Sequence, residues 1–191
     1  KSLVLLNKQA NQCEITYNGS PLSSSKYHCV AIVPPIIFPP MDEVFYWKVT
    51  IDTLPHNASV FVGTIQSLDC WFDTLVAPQS WKNNGSYGWR NYYLPYEGGR
   101  RNARNPKTFQ ENNFVEGDCL LFKFEVNSLM MYSTLRQEHF LIYIGGIKVA
   151  VAQHYIHLNF TTRGTKLVLE PMNKEERKLM NGDVFITPYS E

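Results

Sequence analysis

A chain of 191 residues is long enough for one domain with a substantial core and short for two. Its 18 lysines and arginines face 17 aspartates and glutamates, a net charge of +1, so no global field favours nucleic acid, an anionic membrane or an acidic substrate. Any electrostatic function must be local.

In chain order, the first conspicuous stretch is the apolar run VAIVPPIIFPP at 30–40, which four prolines interrupt and which is too short to cross a bilayer. No secretory h-region follows a basic start, and the expectation is a soluble chain with no membrane contact. FYWKVTI at 45–51 then alternates, with Phe45, Trp47, Val49 and Ile51 on one face and Tyr46, Lys48 and Thr50 on the other, which predicts a half-buried strand. SVFVGTI at 59–65 predicts a second strand. From about Asp69 to Asn113 the pattern fails, and a long irregular segment is expected; loops of that length are usually functional. LLFKFEV at 120–126 restores the alternation, with Leu120, Phe122, Phe124 and Val126 opposed to Leu121, Lys123 and Glu125. Short strands are also predicted for FLIYIG, KVAVA, YIHLNF, with Ile156, Leu158 and Phe160 pointing together, and TKLVLEP. Only NKEERKLM at 173–180 has a helical composition. Many short strands with turn signals between them predict an all-β, bent antiparallel β-sandwich with a short C-terminal helix or extension.

Little in the chain points to catalysis. There is no G-x-S-x-G, no G-x-G-x-x-G and no Walker pattern, and the paired glycines at 98–99 and 145–146 read as turns. His154 and His157 look like a ligand pair, but residues three apart in a strand lie on opposite faces, so a shared metal is not expected. Asp69, Asp73, Glu97 and Glu111 lie in the irregular segment, where carboxylates are usually solvated. No enzyme activity and no cofactor are expected. The cysteines, Cys13, Cys29, Cys70 and Cys119, are widely spaced and lack the density of a stapled secreted scaffold, so free thiols in a cytoplasmic chain are expected. Four N-x-[ST] sequons, at Asn18, Asn57, Asn84 and Asn159, argue the other way, although Asn159 falls in a predicted strand where a glycan fits badly.

One segment gathers aromatic and basic side chains: GSYGWRNYYLPYEGGRR at 85–101, continued by Arg104 and Lys107. Tyr92, Tyr93, Tyr96 and Trp89 beside these cations would suit a single-stranded nucleic-acid platform, but the neutral charge disfavours it. Trp81, Trp89 and Tyr93 would be the sugar platforms of a lectin-like sandwich, the remaining alternative.

The ordered set VFYWKVTI, SVFVGTI, SYGW, GDCLLFKFEVNSLMMYS and HYIHLNF resembles the motif series of SPRY (B30.2-type) domains, over most of residues 3–172. The order WFDTLVAP, SYGWRNYYLPYEGG and VAVAQHYIHLNF is most similar to the SPRY domains of SOCS-box proteins. The resemblance implies a concanavalin-like jelly roll over 1–172 and an extension over 173–191. It also implies partly structural roles for Tyr87 and Trp89, and a non-catalytic module that binds a peptide or loop of a partner protein at one end of the sandwich. Carried over, the family's binding loops fall near Ser20, Pro21 and Leu22, near Phe72, and near Val151, Ala152 and Gln153. Phe72 stands where the family has a tyrosine and Ala152 where it has a larger aromatic, so the family's peptide motif is not carried over. Arg90, Tyr93, Tyr96, Arg100 and Arg101 complete the expected partner-binding set, because aromatic and arginine anchors concentrate binding energy. The partner would belong to a ubiquitin-ligase or signalling assembly. No SOCS-box-like helical tail follows residue 172, so ligase recruitment is not expected of this segment itself.

Overall fold

The computed structural model describes residues 4–9, 12–17, 28–36, 44–66, 82, 85–91, 94–101, 114–125, 127–144, 154–160 and 162–181. These form β1 (Val4–Gln9), β2 (Gln12–Tyr17), β3 (His28–Ile36), β4 (Phe45–Thr53), β5 (Val60–Ile65), β6 (Ser86–Arg90), β7 (Leu94–Glu97), β8 (Arg100–Arg101), β9 (Cys119–Glu125), β10 (Ser128–Ser133), β11 (Glu138–Tyr143), β12 (His154–Phe160), β13 (Lys166–Glu170) and α1 (Lys174–Asn181). One sheet runs β1-β2-β13-β4-β9-β10-β11 and the other β3-β12-β5-β6-β7-β8, with every described pairing antiparallel. The expected all-β antiparallel sandwich with a short C-terminal helix is the observed architecture.

The alternation of β4 puts Trp47, Val49 and Ile51 into the core, and β9 adds Leu120, Phe122 and Phe124. Trp47 lies directly across from Phe122, their rings stacked at 5.0 Å and 4°. Such a pair contributes about 0.5–1.5 kcal/mol beyond its buried area. The second sheet answers with Val60, Val62, Tyr87, Trp89, Ile156, Leu158 and Phe160. Trp89 meets Phe122 at 6.2 Å and His154 meets Phe124 at 5.0 Å, closing the interior between the sheets.

One expectation changes, and strands appear in two segments for which none was predicted. Residues 86–90, 94–97 and 100–101 are not irregular: they form β6, β7 and β8, because Tyr87 and Trp89 alternate inward against Ser86 and Gly88 and so satisfy the strand period. The proline-broken run contains β3, which among the described residues pairs only with β12; this edge strand tolerates Pro34 and Pro35 because they fall where the register shifts, between Ile32 opposite Ile156 and Ile36 opposite His154. The N-terminal segment, for which no element was predicted, supplies β1 and β2, and β2 sends Ile15 into the core.

The outer face of β9 is covered by α1. Asn173 Oδ1 accepts from Glu176 N at 2.9 Å while Glu176 Oε2 accepts from Asn173 N at 2.7 Å, a reciprocal cap that starts the helix. Met172 and Met180 then bury against Leu121. Lys48 Nζ meets Glu176 Oε1 at 2.7 Å, and Tyr46 OH donates to Asn181 Oδ1 at 2.9 Å. Burial by itself would lower the Lys48 pKa, but the hydrogen bond and charge of Glu176, with Glu170 behind it, outweigh that and raise it.

Candidate partner-binding surface

The strand registers define two ends of the sandwich. Ile36, Ile65, Ser86 and His154 share one, and His28, Val60, Phe160, Thr53 and Thr16 share the other. At the first end β7 and β8 are joined by Gly98 and Gly99, with φ of 55° and 75° and Glu97 paired to Arg100. Two consecutive positive φ values are what a two-residue hairpin turn of the right hand requires, and glycine takes them without a Cβ clash. Gly99 N also donates to Ser86 O at 3.0 Å, pinning the turn to β6.

Beneath the hairpin the outer face of the six-stranded sheet carries one cross-strand row: Arg101, Tyr96, Gly88, Gly63 and His157. The two glycines are required by space. A Cβ on Gly63 would come within 2.1 Å of the Tyr87 carbonyl oxygen, and one on Gly88 within 2.8 Å of Phe61 Cζ. The Phe61 ring therefore lies over Gly88, packing edge-on to Tyr96 at 6.2 Å and against His157 at 4.8 Å. Complete burial pushes the His157 pKa down to about 3, so the imidazole is neutral at physiological pH. Burial first, and the charge of Glu97 second, raise the pKa of the Tyr87 phenol, which stays protonated.

At the opposite end β6 is tied to the turn before β5. Asn91 accepts from Val60 N and donates to Ala58 O at 2.6 Å, and Arg90 Nε donates to Ser59 Oγ at 2.8 Å. These bonds hold Asn57, exposed at φ 61°, in place. Sequence reading missed the clamp at Asn91; the signal available was an asparagine directly after a strand, a residue type that bonds nearby backbone readily.

Four of the ten expected partner-binding residues fall within the described set. Arg100 and Arg101 are exposed, and among the described residues neither guanidinium has a carboxylate partner. Arg90 is half-buried on Ser59. Tyr96 is only 6% exposed: its ring belongs to the Phe61 packing, which corrects the expectation of a surface anchor. Trp89, 1% exposed in the core, likewise cannot serve as a sugar or base platform. Pro21, Leu22, Phe72, Tyr93, Val151 and Gln153 lie outside the described residues.

The two histidines lie on opposite faces as expected, His154 with Phe124 inside and His157 with Phe61 outside. Among the described residues no group of three His, Cys, Asp or Glu side chains could hold a metal ion, and no helix is long and apolar enough to cross a membrane. Cys119 is a free thiol, and burial raises its pKa. Asn159 is 1% exposed within β12.

The chain, folded into two antiparallel sheets, is similar to the SPRY domain of human HERC1, with a TM-score of 0.50 over 90% of this chain and 89% of that one, at 14% sequence identity. The fold is SPRY-like. No protein-family model and no curated protein matches the chain. A likeness to a family 32 glycoside hydrolase from Bifidobacterium adolescentis, at TM-score 0.30 and 10% identity over 89% of this chain and 21% of that one, carries no argument about chemistry. Within the SPRY-like fold, the SYGW segment is β6 with one following residue omitted, and the G-D pair opens β9: buried Asp118 accepts from Ser133 Oγ at 2.7 Å and Leu135 N at 3.2 Å, fixing the β10–β11 turn.

Proposed function

We propose that this chain is a non-catalytic protein-interaction module that recognises a peptide or loop of a partner protein through the hairpin end of its sandwich. The observation that carries the reading is a hairpin, pinned at Ser86 and resting on buried Tyr96, which presents two exposed arginines without carboxylate partners among the described residues. Rigid presentation matters because a preorganised surface loses less entropy on binding than a floppy loop. The SPRY-like fold supports the same reading by analogy. The order of the sequence motifs extends it toward the SPRY domains of SOCS-box proteins and a ubiquitin-ligase or signalling assembly, and the free thiol of Cys119 fits a cytoplasmic setting.

The test is affinity capture on the immobilised folded chain, followed by titration calorimetry with the purified captured protein. Saturable one-site binding that disappears when the chain is unfolded in urea is the expected result. A partner held equally well by the unfolded chain, or no partner at all, would refute the reading.

A further inference from the structure

We propose that the free edge of β8 receives an extended acidic segment of the partner, which adds to the six-stranded sheet as a further strand and sets carboxylates against Arg100 and Arg101. The proposal rests on the interaction-module reading and specifies the partner's chemistry.

Three observations lead there. First, β8 ends the strand order of its sheet, so among the described residues no strand pairs with its outer side. In a two-residue hairpin the pair flanking the turn, here Glu97 and Arg100, is the one that exchanges both backbone hydrogen bonds. The next residue, Arg101, therefore turns its N–H and C=O to the open edge, where an added strand finds one donor and one acceptor. Second, the other described cations near carboxylates are engaged: Lys48 with Glu170 and Glu176, Lys123 with Glu125, Lys166 with Glu14 and Asp52, Lys178 with Glu175. Arg100 and Arg101 keep theirs unspent, on a chain whose net charge is only +1. Third, the site is held in place by the Gly99–Ser86 hydrogen bond and by Tyr96 packed on Phe61, directly across from Arg101.

The geometry also says what sequence suits it. Consecutive residues of a strand project to opposite faces, so Arg100 and Arg101 flank the sheet edge above and below. A partner strand matches both only if two acidic residues are adjacent, since they too project to opposite faces. An Asp-Asp or Glu-Asp step within an extended, β-prone segment is the predicted motif, and guanidinium–carboxylate pairing makes arginine the better reader than lysine.

The experiment uses the whole chain and a fluorescein-labelled peptide of repeated Val-Asp-Asp, read by fluorescence anisotropy at low and at physiological salt. Three results are expected. Binding weakens at least about tenfold in Arg100→Ser/Arg101→Ser, which keeps its thermal midpoint. The peptide with lysine for aspartate does not bind. Of two peptides N-methylated on alternate backbone amides, one in each phase, one binds and the other is lost, because only one phase faces the sheet. Absence of binding by the parent chain, unchanged binding by the double variant, or equal binding of both methylated peptides overturns the proposal, as does stronger binding of an oligothymidylate probe at the same arginines. If the captured partner stays bound to the double variant, the interaction reading stands and the β8-edge proposal falls.

Discussion

The outer faces of the two sheets use charge differently. On the seven-stranded sheet, charge holds structure: Lys48 binds Glu176 of the helix and Glu170 of β13, Arg177 lies 5.4 Å over the Tyr46 ring, and α1 thereby seats Met172 and Met180 on Leu121. On the six-stranded sheet, packing and hydrogen bonds hold the described structure, with glycines making room for Phe61 over Tyr96 and His157, and the arginines at the edge have no carboxylate partner among the described residues. Charge that the fold does not consume is charge available to a partner.

The contrast predicts a graded set of effects. Trp89→Ala, which empties the core beneath the hairpin, should lower stability by about 3–5 kcal/mol in urea unfolding, because the site is enclosed by both sheets and cannot collapse. Met180→Ala, in the smaller cluster under α1, should cost about 2–3 kcal/mol, the lower part of the range for methionine truncation, since a one-sided cover relaxes more readily. A larger loss at Met180 than at Trp89 would reverse the ranking of the two faces.

Acid sharpens the comparison. His157 has a folded pKa of about 3 against 6.5 unfolded, so between these values the unfolded chain binds the extra proton. Its contribution is therefore complete above pH 6.5 and falls by up to about 1.4 kcal/mol per unit as pH drops toward 3. His157→Gln should flatten that part of the stability-versus-pH curve; an unchanged slope would mean that other groups dominate it.

The raised pKa of Lys48 has the opposite sign, with stability present below the unfolded value of 10.5 and lost only as pH climbs past the folded one. Lys48→Met should cost about 1 kcal/mol at neutral pH and shift the helix signal first, because the pair is partly screened by water. Smallest of all, Arg100→Ser/Arg101→Ser should change stability by no more than about 0.5 kcal/mol. A greater loss would show that the arginines are structural and erase the difference between the two faces.

What the sequence by itself determined is the class of fold and much of its core. Strict alternation in FYWKVTI and LLFKFEV names the inward residues of β4 and β9 before any contact is known, because a strand's period of two leaves no freedom in which side chains share a face. The helical composition at 173–180 and the turn at Gly98–Gly99 were legible for the same local reason. Three things were decided only by tertiary structure. A strand as short as β8 or as proline-rich as β3 exists because a neighbouring strand supplies its hydrogen bonds, so its own sequence carries no sufficient signal. The same residue type is core at Tyr87 and sheet cover at Tyr96, since burial depends on what packs against a face and not on the face's own period. Whether an arginine is spent or spare depends on which carboxylates the other strands bring within reach, a distance in space that no spacing along the chain encodes.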